Sequence, residues 1–301
     1  MNKEHPELLL RSLLFVPGHV DRFFESAIKS SADVLVFDLE DSVPIEKKDE
    51  ARKNLQNKFS LCKINFPIFV RTNEMASTFF EKDVVAMTLP QTNGFVLPKI
   101  KSPDDIIFFD NFLSRIETEK NLPIGTFAIL PLIETTEAVL RVLDIAKSSK
   151  RILALIFGHE DFLLDLHAIH STNFTNLLVP RMMISMAARA TGCFAIDTPF
   201  LQIKDQEGCA KNICKSRELG FSGMLVLHPS QIEIANNGYI PSQQEIKEAK
   251  QILSLNNKAQ KKGRSITFSE GRFIAPPLLK QAQCTLKTFE TIKSRKINDS
   301  N

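Results

Sequence analysis

The chain reads as a closed parallel (β/α)8 barrel with a C-terminal helical extension. Eight apolar runs rich in Val, Ile, Leu and Phe recur along it, as expected of strands buried on both faces. Helix-like stretches separate most of them, at the spacing of about 25–40 residues that suits βαβ units. Each run ends in a polar or charged residue, and barrels of this kind gather their reactive groups at the carboxyl ends of their strands.

The elements follow in order. SLLFVP (12–17) opens the barrel, and a helix is expected over 21–29. VLVFDLED (34–41) is the second run, with a helix over 46–59 starting after Pro44. FPIFVR (66–71) and GFVLPK (94–99) are the third and fourth. Ser102 is placed to cap a helix running to about 116, with Pro103 at its first position. Asp104 and Asp105 suit the positive end of its dipole. FAILPLIE (127–134) precedes a helix over 135–148, and ILALIFGHED (152–161) is the sixth run. Helices over 176–191 and 205–219 flank CFAIDTP (193–199), with Gly192 and Gly220 as helix stops. GMLVLHP (223–229) is the eighth run.

Beyond His228 and Pro229 the pattern changes. Two helical segments remain, 242–258 and 276–294, joined by KKGRSITFSEGRF as a hairpin or irregular connection. The barrel is therefore assigned to 1–240. The extension, 241–301, is expected to pack on the barrel or contact a neighbouring subunit.

Composition narrows the classes. Lys+Arg 38 against Asp+Glu 35 gives a net charge of +3, which offers no reason to invoke nucleic acid. The basic excess concentrates near the C-terminus, as a solvated helix face or as a contact for a phosphate-bearing ligand. No run approaches the roughly 18 apolar residues of a membrane span, and the first residues lack the apolar stretch of a signal peptide. A cytoplasmic, non-membrane protein is expected. The five cysteines (Cys62, Cys193, Cys209, Cys214, Cys284) are scattered, as structural thiols rather than a disulfide frame or zinc site.

Glu134 and Asp161 each close an apolar run, on strands expected to be neighbours. Two oxygen ligands converging in one bowl match Mg²⁺, which takes carboxylates and keeps several waters. Two solvated acids are the alternative. Arg71 ends the third run. It would either pair with Asp38, Glu40 or Asp41, or offer a planar two-pronged donor to a carboxylate or developing oxyanion. Both can hold if the acids orient the guanidinium. Alternation puts Asp38 and Glu40 on one side of their strand, in a supporting role rather than as metal ligands. Lys99 fits a structural or phosphate-contacting role better than a Schiff base, and His159 and His228 fit packed or solvated states. No GxSxG, P-loop or G-x-G-x-x-G pattern occurs.

These residues carry a resemblance. RSLLFVPG (11–18), ADVLVFDLEDSVPIEKKDEAR (32–52), FVRTN (69–73), VLPKIKSPDDI (96–106), LIETTEAV (132–139), FGHEDF (157–162), AIDTPF (195–200) and LGFSGMLVLHPSQI (219–232) resemble the citrate lyase β-subunit-like branch of the HpcH/HpaI aldolase superfamily, in its order and spacing. SEGRFIAPPLLKQAQ (269–283) is similar to the tail of citramalyl-CoA lyases. The resemblance implies a modified (β/α)8 TIM barrel, usually a homotrimer, acting on coenzyme A or acyl-carrier thioesters. It implies Mg²⁺ on Glu134 and Asp161 and a substrate-binding Arg71. It also implies cleavage of a citryl, citramalyl or malyl thioester to an acyl thioester and a 2-oxo acid. Arg71, Glu134 and Asp161 would be the catalytic set, Arg71 and Glu134 contacting substrate. Thioester hydrolysis on the same site is the alternative activity.

One position departs from the pattern. Lyases of this type resemble one another in a tail aspartate, thought to act as acid and base in a neighbouring subunit's site. Here Ala275 stands in its place, within Phe273–Ile274–Ala275–Pro276–Pro277. A methyl group carries no proton. Glu270 is the nearest substitute, different chemistry is a second explanation, and a non-catalytic thioester-binding relative is a third.

Overall fold

The structure, a computed structural model, describes residues 8–62, 64, 66–171, 174–261, 268–269 and 272–298. Eight parallel strands close a barrel in sequential order. They are β1 (Ser12–Pro17), β2 (Val34–Asp38), β3 (Ile68–Arg71), β4 (Gly94–Leu97), β5 (Ala128–Ile133), β6 (Ala154–Phe157), β7 (Phe194–Asp197) and β8 (Gly223–Val226). The seam pairs β1 with β8, Leu13 lying opposite Leu225.

The helices are α1 (Asp21–Ala27), α2 (Lys48–Leu61), α3 (Phe80–Met87), α4 (Pro103–Glu119), α5 (Thr136–Leu140), α6 (Val142–Lys147), α7 (His159–Asp165), α8 (Leu178–Thr191), α9 (Gln206–Glu218) and α10 (Ile232–Gly238). In α4 the expected start is realised. Asp105 Oδ2 accepts the N–H groups of Lys101 at 2.8 Å and Ser102 at 2.9 Å, closing a capping box. Helix α8 ends at Gly192, whose φ of 79° is the left-handed stop that only glycine adopts without strain.

Phenylalanine supplies much of the packing between strands and helices. Phe24, Phe37 and Phe59 join α1, β2 and α2 with centroid distances of 5.2–6.4 Å. Phe80, Phe95, Phe109 and Phe127 do the same for α3, β4, α4 and the start of β5. All four are buried, each contributing about 1.5–3 kcal/mol of transfer free energy.

Several boundaries differ from expectation. The 152–161 run is a strand only to Phe157; HED begins α7 instead. The 34–41 run ends as a strand at Asp38, so strand alternation does not orient Glu40. The helix expected over 135–148 breaks at Arg141, where φ is −106° and ψ 9°. Helix α3 has no counterpart in the sequence expectation.

The chain divides into two compact units, one running over Leu10–Gly238 and the other beginning at Tyr239. In the second, α11 (Gln243–Lys261) packs against α12 (Pro276–Asn298). Between them β9 (Phe268–Ser269) and β10 (Arg272–Phe273) pair antiparallel. Among the described residues no helix is long and apolar enough to cross a membrane.

Candidate active site at the carboxyl end of the barrel

Asp38 and Arg71 are opposite one another in the β2–β3 register, and both are last in their strands. The Arg71 fork closes on Asp38, Nε donating to Oδ1 at 2.7 Å and Nη2 to Oδ2 at 2.6 Å. Its remaining nitrogen, Nη1, lies 3.1 Å from Glu40 Oε2 and 3.9 Å from Asp41 Oδ2. The guanidinium carbon stands 5.1 Å from the Phe15 ring centroid. The two-pronged edge expected to face a ligand is thus spent on Asp38, and Nη1 is the prong left for one.

Burial and charge set the protonation states. Burial alone would raise Asp38, but the charge and fork of Arg71, with the Ser42 side chain and the Glu40 N–H, hold it below its usual range. Burial likewise opposes the Arg71 charge, yet Asp38, Glu40 and Asp41 outweigh it and hold the guanidinium protonated. Glu40 is pushed up to about 7, chiefly by burial and then by Asp41 and Asp38, with Arg71 pulling the other way. Asp41 is mostly exposed, its side chain 59% accessible.

Glu134 follows β5 and is buried. Its Oε1 accepts the backbone N–H of Lys99 at 2.6 Å. Lys99 presents that N–H from a left-handed backbone, φ 54°, a conformation that costs a non-glycine residue about 1–2 kcal/mol. The Lys99 ammonium lies 3.4 Å from Glu40 Oε1. Burial lowers its affinity for a proton, but Glu40, Asp41 and Glu74 reverse this and raise it. These contacts tie Lys99 to both Glu134 and Glu40.

Asp161 is the third residue of α7, not the end of a strand. The first helical turn still brings it into the field of Glu134. Burial first, and the Asp161 charge second, push the Glu134 carboxyl up to about 8. Gly158 makes room for this pair: a Cβ there would stand 2.5 Å from Glu134 Oε2.

The sequence reading missed the support beneath these groups. Lys48 Nζ donates to the carbonyls of Leu39 and Glu40, each at 2.7 Å. Asn73 donates to Leu39 O at 2.9 Å and to Asp83 Oδ2 at 2.6 Å, and Arg52 reaches Asp83 at 2.6 Å. This buried network fixes the loop that carries Glu40 and Asp41. The signal was present in EKKDEAR, which puts the charged Lys48 and Arg52 on the buried face of α2. His228 is exposed and caps a turn, its Nδ1 accepting the Ser230 N–H at 3.2 Å. His159 is buried, and burial, Arg181 and His170 depress it to about 4.

Comparison with known proteins agrees with this architecture. The family model for HpcH/HpaI aldolase/citrate lyase matches residues 11–229. The chain is 30% identical to the citrate lyase subunit beta of Leuconostoc mesenteroides subsp. cremoris, over 93% of each chain. To the mitochondrial citramalyl-CoA lyase of Homo sapiens it is 27% identical, over 98% of this chain and 89% of the relative. A crystal structure of CitE from Mycobacterium tuberculosis, in complex with magnesium, acetoacetate and coenzyme A, superposes with a TM-score of 0.76. That pair is 24% identical, over 92% of this chain and 97% of the other, and shares the fold. The chain is an enzyme of lyase type and belongs to the HpcH/HpaI aldolase/citrate lyase family.

Proposed function

We propose that the protein is a Mg²⁺-dependent carbon–carbon lyase that cleaves a 3-hydroxyacyl thioester with a distal carboxylate, of the citramalyl-, malyl- or citryl-CoA kind. The products are an acyl thioester and a 2-oxo acid. The observation that carries this is the buried Glu134 in the field of Asp161, on the carboxyl-end face of the barrel that also holds Arg71. Coenzyme A is favoured over a carrier protein as the thioester handle by the likeness to citramalyl-CoA lyase.

The residues fit a divalent ion. Glu134 is a buried carboxyl whose proton is retained to about pH 8, and a second acid raises it further than burial alone. Such a pair is stable as two anions only with a cation between them, and an oxygen-only donor set suits Mg²⁺. When bound, the ion supplies the positive charge that favours ionisation of the substrate 3-hydroxyl. Glu134 and Asp161 would hold it. The Lys99 N–H fixes one Glu134 oxygen. Arg71 Nη1 offers a hydrogen bond to the substrate carboxylate or to developing negative charge, while Asp38 keeps the guanidinium plane in place. Cleavage leaves a thioester enolate whose carbon must take a proton.

No carboxyl is available for that proton at 275. Ala275 directly precedes α12, its carbonyl accepting the Leu278 N–H at 3.0 Å; Glu270 lies outside the described residues. Glu40, with a proton held to about pH 7, is the carboxyl beside Arg71 able to carry one near neutrality. The same reading makes the protein a cytoplasmic homotrimer whose C-terminal helices serve a neighbouring subunit, which sedimentation at working concentration tests.

Ala275 favours a second reading, a thioester-binding relative without turnover. The purified protein is incubated with citramalyl-, malyl- and citryl-CoA and Mg²⁺, and 2-oxo acid and free thiol are measured. Appearance of the 2-oxo acid with one of them supports the lyase. Thiol without 2-oxo acid would replace it with a hydrolase. Ala275→Asp is expected to raise the lyase rate by about 10²–10⁴-fold if only the proton carrier is missing. Tight binding without turnover in both forms would leave the binding role.

A further inference from the structure

Next to the acidic pair lies a cluster of different chemistry. His159 opens α7 immediately after Gly158 and is 3% exposed. Its Nδ1 makes a short hydrogen bond with Thr198 Oγ1, which also accepts the His159 backbone N–H at 3.2 Å. Thr198 is held in turn, its N–H donating to Asp197 Oδ1 at 2.9 Å. One ring nitrogen is therefore occupied from behind, and Nε2 is left facing outward. It meets Glu160 Oε1 at 2.7 Å. The other carboxylate oxygen of Glu160 lies 3.4 Å from His170 Nε2, and the two imidazoles stand at 82° with centroids 6.1 Å apart. One nitrogen of each histidine and one Glu160 carboxylate oxygen all lie within 4.8 Å of one another.

That arrangement is the donor set of a transition metal. Two imidazoles and a carboxylate suit zinc-class ions, whereas Mg²⁺ prefers oxygen alone. Donors around a tetrahedral ion with bonds of about 2.0–2.1 Å sit roughly 3.3 Å apart. The 2.7 and 3.4 Å contacts are made by different oxygens of Glu160, so a single ligating oxygen must settle between the two imidazoles, a small shift that the half-exposed Glu160 allows. A hydrogen bond to the non-ligating nitrogen, as Thr198 provides, is the usual way a ligating imidazole is oriented. Arg181, whose charge acts on His159, is compensated by Asp197, with contacts of 3.0 Å from Nε to Oδ1 and from Nη2 to Oδ2. Glu160 and Asp161 are consecutive on a helix, about 100° apart around its axis, so they serve different neighbours.

We propose that His159, Glu160 and His170 form a second metal site, for a zinc-class ion, separate from the Glu134–Asp161 pair and clipping the segment after α7 to its first turn. The full-length protein is dialysed against Zn²⁺ at a large excess of Mg²⁺, and bound zinc is counted. Co²⁺ is used in parallel, for its visible absorption in a nitrogen–oxygen tetrahedral field. One zinc per chain, retained against Mg²⁺, is expected. His170→Gln and Glu160→Gln should each weaken it by at least about 10-fold, since even an outer partner of a ligand is worth 10–100-fold. Both changed side chains are substantially exposed, so the variants should fold, which circular dichroism verifies. No zinc retained, zinc displaced by Mg²⁺, or affinity unchanged in both variants would each overturn the site.

Discussion

At Arg71 the side chain has a fixed number of N–H groups, and geometry decides how they are shared. Asp38 takes the paired edge, which removes the freedom of the guanidinium to turn and leaves one nitrogen for a ligand. Replacing Arg71 would also strand Asp38, a buried carboxylate, so loss of stability and loss of binding would be confounded. Gly158 gives a cleaner probe. Gly158→Ala places a methyl 2.5 Å from Glu134 Oε2, and its backbone φ of −106° is open to alanine. The carboxyl must move. A fall of about 10²-fold in lyase rate is expected for a displacement of about 1 Å, with Mg²⁺ affinity weakened and far-ultraviolet circular dichroism unchanged. Wild-type Mg²⁺ affinity in that variant would show that Glu134 does not need its present position.

Among the elements, the phenylalanine clusters bind helices to strands and set the stability of the barrel wall. Phe109 is fully buried and touches the rings of Phe80 on α3 and Phe95 on β4. Phe109→Ala should cost about 3–5 kcal/mol, read by denaturant melts, with Mg²⁺ affinity of the folded fraction retained. The strands were legible because a strand buried on both faces is a short apolar run with no competing pattern. The helices were less so. Helix α3 starts at Phe80 with no side-chain cap, and its hydrophobic stretch gives no stop or start residue to read. The beginning of α7 abuts the apolar run of β6, so Asp161 was legible as lying at the carboxyl end of the barrel but not as a helical residue. Arg71 with its acids was legible from alternation only as far as Asp38. Beyond it, tertiary contacts from Lys48 and Asn73 shape the loop, and no local pattern encodes those.

For the molecule as a whole, the two raised carboxyls predict how stability follows pH. Unfolded carboxylates titrate near about 4.3, whereas Glu40 and Glu134 hold their protons to about 7 and about 8. A raised native value means the folded form binds the extra protons. Their stabilisation is complete below the unfolded value and is lost progressively as pH climbs from there to about 7 and about 8. In chelator, Tm should therefore fall from about pH 5 to about pH 8 and level off above it. Saturating Mg²⁺ should flatten the drop, because the ion takes over the role of the Glu134 proton and binds only the native form. Equal Tm profiles with and without Mg²⁺ would remove the metal from this pair.

The seam between β8 and β1 joins residues from opposite ends of the barrel sequence, Leu13 with Leu225. A chain emerging from the ribosome cannot form it until GMLV has been made. Throughout synthesis β1 has a bare edge able to recruit a stray strand, and closure must await the slowest, most distant pairing. Nascent chains halted before Gly223 should need holdase protection and precipitate without it, while completed chains lose that vulnerability at once.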